Sequence, residues 1–234
     1  MMKQFSNRYI FIFSTVMVVA VAVLLSLAAT LLQPAQEKNL EIEKKKNMLG
    51  SIGVSATHEN TEALYDKYVK ESFVLNYKGE PVQGVDAFKV VLRNEQKKPA
   101  VEQYLPLFKA YPDDGEKLII IPVEGKGLWG PIYGYVSLKS DMNTIYGVNF
   151  DHKGETPGLG AEINTAKFMS QFPGKKLFDN GSFVAIQVVK GGASPNDIHG
   201  VDAVSGGTIT SKGLQKMLFD CIKKYNDYLL KNRN

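Results

Sequence analysis

Cysteine is almost missing from this chain: among 234 residues Cys221 is the only one, so no disulfide can close within it. Cys221 falls on the apolar side of a C-terminal helical pattern and reads as an inert packed thiol. Histidine is scarce too. His58, His152 and His199 stand apart, with no HxxxH or His/Cys ligand spacing, so neither a zinc nor a haem site is expected and the metal assignment is none. No G-x-S-x-G elbow, P-loop or internal repeat occurs, and no catalytic acid, base or nucleophile is assigned. The adjacent Asp113 and Asp114 sit in a Pro-Asp-Asp-Gly turn, where aspartate has local reasons to be. The net charge of +4 is modest. Residues 1–36 supply Lys3 and Arg8 and no acid, so the remainder is close to balance. Without an arginine-rich stripe, nucleic acid is excluded as a partner.

The most informative absence is of charge between Tyr9 and Gln36. Tyr9 to Leu32 is almost wholly apolar, longer than the roughly 20 residues that span a bilayer core. A secretory signal has a shorter apolar core, about 7–15 residues. Small residues at Ser26-Leu27-Ala28-Ala29 offer cleavage as the alternative, but length favours an uncleaved anchor. The chain divides into a short N-terminus (1–8), a transmembrane helix (9–32), a charged helical stalk (33–56) with Pro34 as its kink position, and one domain (57–234). Charge leaves the topology open. Lys38, Lys44, Lys45 and Lys46 outnumber Lys3 and Arg8, which by strict count puts the domain side in the cytoplasm, although long domains translocate largely regardless of charge.

Within the domain, residues 61–69 suit a helix with Leu64, Tyr65, Tyr68 and Val69 on one face. Strands are expected over 73–77, 87–92, 117–123, 131–138, 144–150 and 183–189, with a short helix over 159–172. A final helix over 211–230 places Leu214, Met217, Leu218, Cys221, Ile222, Tyr225 and Leu229 on its buried face. Grouped strands without regular β-α alternation predict an α+β domain.

Three glycine-rich stretches carry the candidate chemistry. The first is Asp202-Ala203-Val204-Ser205-Gly206-Gly207-Thr208-Ile209-Thr210-Ser211, feeding the last helix. Such a loop offers free main-chain N–H groups to an anion, although Ser and Thr also occur there as plain helix caps. The second, Glu124 to Ile132, holds the only tryptophan; Trp129 amid glycines suits an exposed platform for a planar ring. The third is His152-Lys153-Gly154-Glu155-Thr156-Pro157-Gly158-Leu159-Gly160-Ala161-Glu162, whose small residues allow close approach of a ligand. Alone, the first reads more simply as a helix cap, and the second and third equally as turns between strands. Together they supply an anion site, an aromatic wall and a glycine floor, the needs of a nucleotide-like cofactor with a planar ring.

Asp202-Ala203-Val204-Ser205-Gly206-Gly207-Thr208 resembles the D-x-x-S-G-A-T flavinylation motif of the FMN-binding domain family, with Gly207 in place of the usual alanine. With the Gly-Lys-Gly-Leu-Trp-Gly-Pro-Ile and Glu-Thr-Pro-Gly-Leu-Gly-Ala-Glu stretches, the whole chain is similar to the C-subunit family of sodium-translocating NADH:quinone oxidoreductases. The resemblance implies one FMN per chain, joined by a flavin transferase through a phosphodiester to Thr208. Ser205, Gly206 and Gly207 become its positioning turn, and Thr210 or Ser211 caps the helix. Leu128, Trp129, Glu155, Thr156, Leu159 and Gly160 lie in the matching motifs and are carried over as neighbours of the flavin ring. Lys190, before Gly191-Gly192, is a candidate counter-charge, against the plainer reading of a solvated strand-end lysine. The resemblance further implies electron flow from NADH to a quinone such as ubiquinone coupled to sodium export, other membrane and cytoplasmic subunits as partners, and an inner-membrane protein with its N-terminus in the cytoplasm and its FMN-binding domain in the periplasm. The rival readings are the covalent-flavin subunit of the related ferredoxin:NAD electron-transport complex and a membrane-anchored FMN-binding module without electron transfer.

Overall fold

In the computed structural model, which describes residues 6–233, a single helix α1 (Asn7–Ser51) takes up both the apolar run and the charged stretch behind it. Lys3 lies outside the described residues. α1 is long and apolar enough to cross a membrane. Pro34 lies inside it, where it deletes one main-chain donor from the helical ladder. By internal contacts the chain divides after Glu43, and the compact unit, 44–234, takes in the last turns of α1 as well as the expected domain.

That unit is built on a six-stranded antiparallel sheet of order β2-β1-β3-β4-β5-β6. After α2 (Thr61–Tyr68) come β1 (Val69–Leu75), β2 (Pro81–Val82), α3 (Leu92–Glu95), β3 (Leu105–Ala110), β4 (Leu118–Lys126), β5 (Pro131–Leu138) and β6 (Ile145–His152). The chain then leaves the sheet through α4 (Ala166–Met169) and two small ribbons, antiparallel β7 (Phe178–Asp179) with β8 (Ser182–Phe183) and parallel β9 (Gln187–Val189) with β10 (Gly200–Asp202). It closes with α5 (Thr208–Lys223) and α6 (Asn226–Lys231). This is the α+β class expected.

The alternation along β4 sets the layers. Ile119, Ile121 and Val123 enter one core with Leu214, Met217 and Leu218 of α5. Leu118 and Ile120 point the other way, into a second core with Met48, Leu49, Ile52 and Tyr68. A strand covered on both faces reads as an unbroken apolar run, which is why 117–123 stood out. All seven residues assigned to the inner face of the last helix are buried.

The local pattern misled in five places. The expected strand at 87–92 is a 3-10 turn, Ala87–Lys89, followed by α3, because the Asp86 carboxylate accepts the Phe88 N–H and starts a turn instead. β3 went unpredicted, because Pro106 interrupts its pattern; it nonetheless pairs with both β1 and β4. The strand expected over 183–189 breaks at Ala185, which is buried with φ 57°, in the left-handed region. The helix expected over 159–172 splits at extended Thr165, whose Oγ1 accepts the Phe168 N–H and so starts α4. The last helix begins at Thr208, earlier than expected, and breaks near Tyr225, whose hydroxyl donates to the Pro106 carbonyl.

Candidate functional site

The three glycine-rich stretches meet around one buried carboxylate. The β4–β5 hairpin turns at Gly127–Gly130, closed by the Gly127 N–H to the Gly130 carbonyl at 2.8 Å. Its tip points Leu128 and Trp129 outward, 45% and 70% exposed. After β6, the Glu155 side chain turns inward and is 5% exposed. It accepts the Trp129 N–H at 2.8 Å and the Thr210 hydroxyl at 2.5 Å, and also the Gly130 N–H. One carboxylate therefore joins the hairpin tip, the β6 loop and the first turn of α5.

Two glycines make that approach possible. A Cβ at Gly127 would lie 2.5 Å from Glu155 Oε1, and one at Gly160 would collide with both Glu155 and Thr210. Burial by itself would raise the Glu155 carboxyl. The hydrogen bonds from Thr210, Trp129 and Gly130, with the charge of His152, outweigh burial and hold it below the ordinary value.

The start of α5 is uncapped by any side chain. Its N-cap is Gly207, and the first helical hydrogen bond runs from the Ser211 N–H to the Gly207 carbonyl at 2.8 Å. The expected capping by Thr210 or Ser211 is corrected: Thr210 Oγ1 is spent on Glu155, and Ser211 Oγ accepts the Val204 N–H at 3.1 Å, bracing the loop from inside the helix. Among the described residues the main-chain N–H groups of Thr208, Ile209 and Thr210 precede that first helical bond and make none of their own within the helix, as at any helix start that can receive an anion. Thr208 is the first helical residue and half-buried. Ser205 and Gly206 are exposed, and Gly206 holds φ 71° with Leu159 packed so close that a Cβ would strike its Cδ2. Gly207 is buried, and a Cβ there would meet Val204 Cγ1 at 3.0 Å and Gly160 Cα at 3.3 Å.

Of the remaining expected residues, Thr156 is exposed and its carbonyl accepts the N–H groups of Leu159 and Ala161, each at 3.1 Å. Leu159 is 43% exposed. Lys190 is exposed beyond β9 and takes part in none of the hydrogen bonds that join the three stretches. Ile209, 58% exposed beside Thr208, was missed. Its signal was an isoleucine in the first helical turn, off the register of the buried face.

FMN has a phosphate and a flat, largely apolar ring. The uncapped helix start with a half-buried hydroxyl suits the first, and the exposed Leu128, Trp129, Leu159 and Ile209 over glycine-lined backbone suit the second. The residues present fit such a group. The class is that of an FMN-binding domain, and the family of that description matches residues 127–223, from the hairpin tip to the end of α5.

The likeness extends further along the chain. It is 36% identical to the C subunit of the Na(+)-translocating NADH-quinone reductase of Pasteurella multocida over 214 residues, which cover 83% of this chain and 82% of that one. The corresponding protein of Vibrio parahaemolyticus is 32% identical with the same coverage. Among solved structures, the C subunit of the reductase from Parabacteroides distasonis is 43% identical with a TM-score of 0.78, covering 85% of this chain and 96% of that one. The NqrC structure of Shewanella oneidensis is 30% identical with a TM-score of 0.70, covering 84% and 99%. The chain belongs to the C-subunit family of the Na(+)-translocating NADH-quinone reductases.

Proposed function

We propose that this protein is the flavin-carrying subunit of a membrane redox-driven sodium pump, passing electrons on the path from NADH to quinone through FMN held covalently on Thr208. The observation that carries the site is the start of α5, which no side chain caps among the described residues, with Thr208 at the first helical position ahead of the first helical hydrogen bond. Family membership carries the wider function.

A threonine hydroxyl is a weak nucleophile, and no basic side chain is hydrogen-bonded to Thr208 among the described residues. Attachment therefore needs an external flavin transferase, with a metal ion to activate the donor. The first turn of α5 then stabilises the remaining phosphodiester charge through its N–H groups and helix dipole. Leu128, Trp129, Leu159 and Ile209 offer apolar surface to the ring. The bound FMN supplies the electron chemistry, and the chain supplies attachment and placement. α1 anchors the protein in the lipid bilayer, with the N-terminus in the cytoplasm and the compact unit in the periplasm. The other pump subunits are its partners. The relatives above are named for the sodium pump, and no observation favours the ferredoxin:NAD reading.

Mass spectrometry of the Thr208 peptide after coexpression with a flavin transferase tests the attachment. An FMN-sized adduct is expected on wild type and on Thr210→Ala, and none on Thr208→Ala. Covalent flavin persisting in Thr208→Ala would overturn the assignment. NADH-to-quinone turnover by the complex assembled with Thr208→Ala tests the role, and undiminished turnover would leave only a binding module.

A further inference from the structure

A groove of about 880 Å³ runs along α5 from Gly213 to Lys224 and is walled on its other side by the β4–β5 hairpin and α3. Its lining carries five basic residues against two acidic ones. Lys216, Lys223 and Lys224 come from α5 and its C-cap, Lys126 from the end of β4, and Arg93 from α3. The helix dipole accounts for lysines at the C-terminal end of α5, but not for Arg93 and Lys126, which other elements bring to the same groove.

The acids present do not satisfy this charge. Arg93 Nε lies 3.5 Å from Glu124, and Lys216 Nζ lies 2.7 Å from Asp220 with side chains 77% and 49% exposed. The Lys216–Asp220 pair is of the exposed kind that contributes about 0–1 kcal/mol and yields readily to a better partner. Lys223 rests over the Phe219 ring at 5.2 Å. Among the described residues the ammonium groups of Lys126 and Lys224 have no hydrogen-bond or ion-pair partner.

The charges are strung out rather than convergent. From Lys216 to Lys224 the helix advances roughly 12 Å, which sets these lysines along the groove and not around one point. An extended peptide of about four residues spans that length and can set carboxylates opposite successive lysines. The hairpin wall is the base of the turn that carries Leu128 and Trp129. An occupant therefore lies beside the proposed flavin site.

We propose that this groove is the docking site for an acidic polypeptide segment of a partner subunit, held there alongside the Trp129 turn. The proposal rests on the function argued above, since it takes the partner from the same complex. Carbodiimide coupling joins lysine amines directly to carboxylates in ion-pair contact, so it reports this contact by its chemistry. The full-length chain, coexpressed with the other subunits in membranes, is coupled and its cross-linked peptides are mapped. Lys126 or Lys224 is expected to link to an Asp or Glu of another subunit. The yield should fall about tenfold at 0.5 M salt, as for a screened contact. Exposed Lys117 and Lys167 should give no such link. Lys126→Glu/Lys224→Glu should lose subunit binding while keeping the Thr208 flavin, which reports an intact fold, and Lys126→Ala/Lys224→Ala should weaken it less. The proposal is overturned if the groove lysines couple only within their own chain, if anionic-lipid vesicles alone protect them, or if charge reversal leaves binding unchanged. Failure of any subunit to co-purify with wild type sinks the wider function and the groove together, whereas co-purification without groove links sinks the groove alone.

Discussion

At Glu155 a buried charge stays charged because protein donors replace water on both oxygens. Removing the side chain strands the Thr210 hydroxyl and the Trp129 and Gly130 N–H groups together. Glu155→Ala is therefore expected to cost about 2–4 kcal/mol, and Glu155→Gln, which keeps the shape but not the charge, about 1–2 kcal/mol, by chemical denaturation at pH 7. The sign of the pH dependence follows from the lowered folded value. Unfolded, the carboxyl titrates near its ordinary 4.5. Its contribution is present above that pH and is lost as pH falls through the folded value. The stability gap between wild type and Glu155→Gln should shrink in acid; a gap that stays constant from pH 7 to pH 3 would contradict this account. The exposure of Trp129 was legible, since a lone tryptophan between glycines has no strand register to bury it. The direction of Glu155 was not. Its motif places it beside the site, but only the close approach of Gly127 and Gly160 turns its carboxylate inward.

At the scale of elements, the placement of α5 depends on Gly213. A glycine-to-alanine change inside a helix ordinarily gains about 1 kcal/mol. Here the added methyl would run into the Lys126 carbonyl oxygen at the end of β4, with Gly127 Cα 3.5 Å away. That carbonyl is main chain, flanked by Gly125 and Gly127, which pair across the hairpin with Ile132 and Gly130, and overpacking of this kind costs about 1–3 kcal/mol. Gly213→Ala should therefore destabilise, lowering the thermal midpoint by about 2–6 °C, and reduce the flavin load by shifting Thr208 away from the hairpin tip. A raised midpoint would show that α5 does not press on β4. Periodicity alone revealed the inner face of α5 and the strands β4 to β6, because each buries one continuous set of side chains. It failed where a single local bond decided the matter: Asp86 at a 3-10 turn, Thr165 splitting a helix, and Ala185 in a left-handed bend. β3 was hidden by Pro106, although tertiary pairing overrides that break.

At the scale of the molecule, the compact unit begins inside α1, at Lys44. The last turn of that helix and Ile52 just after it are core material. Met48, Leu49 and Ile52 are 2%, 0% and 1% exposed, and Ser51 Oγ shares a buried hydrogen bond of 2.7 Å with Ser137 of β5. Burying three such apolar side chains contributes roughly 5–9 kcal/mol, as much as the whole net stability of many domains. A fragment of residues 44–234 should then be water-soluble and unfold in one cooperative transition. A fragment of residues 57–234, cut where charge and pattern alone placed the boundary, should lose that transition and expose the outer face of the sheet, with Phe108, Ile120 and Tyr135, to a hydrophobic dye. The charged stretch after the apolar run resembled a solvated stalk, because its lysines and glutamates outnumber Met48, Leu49 and Ile52 and mask their register. Equal unfolding midpoints for the two fragments would mean that those residues only cover the sheet. A large difference would make the end of α1 part of the folded domain.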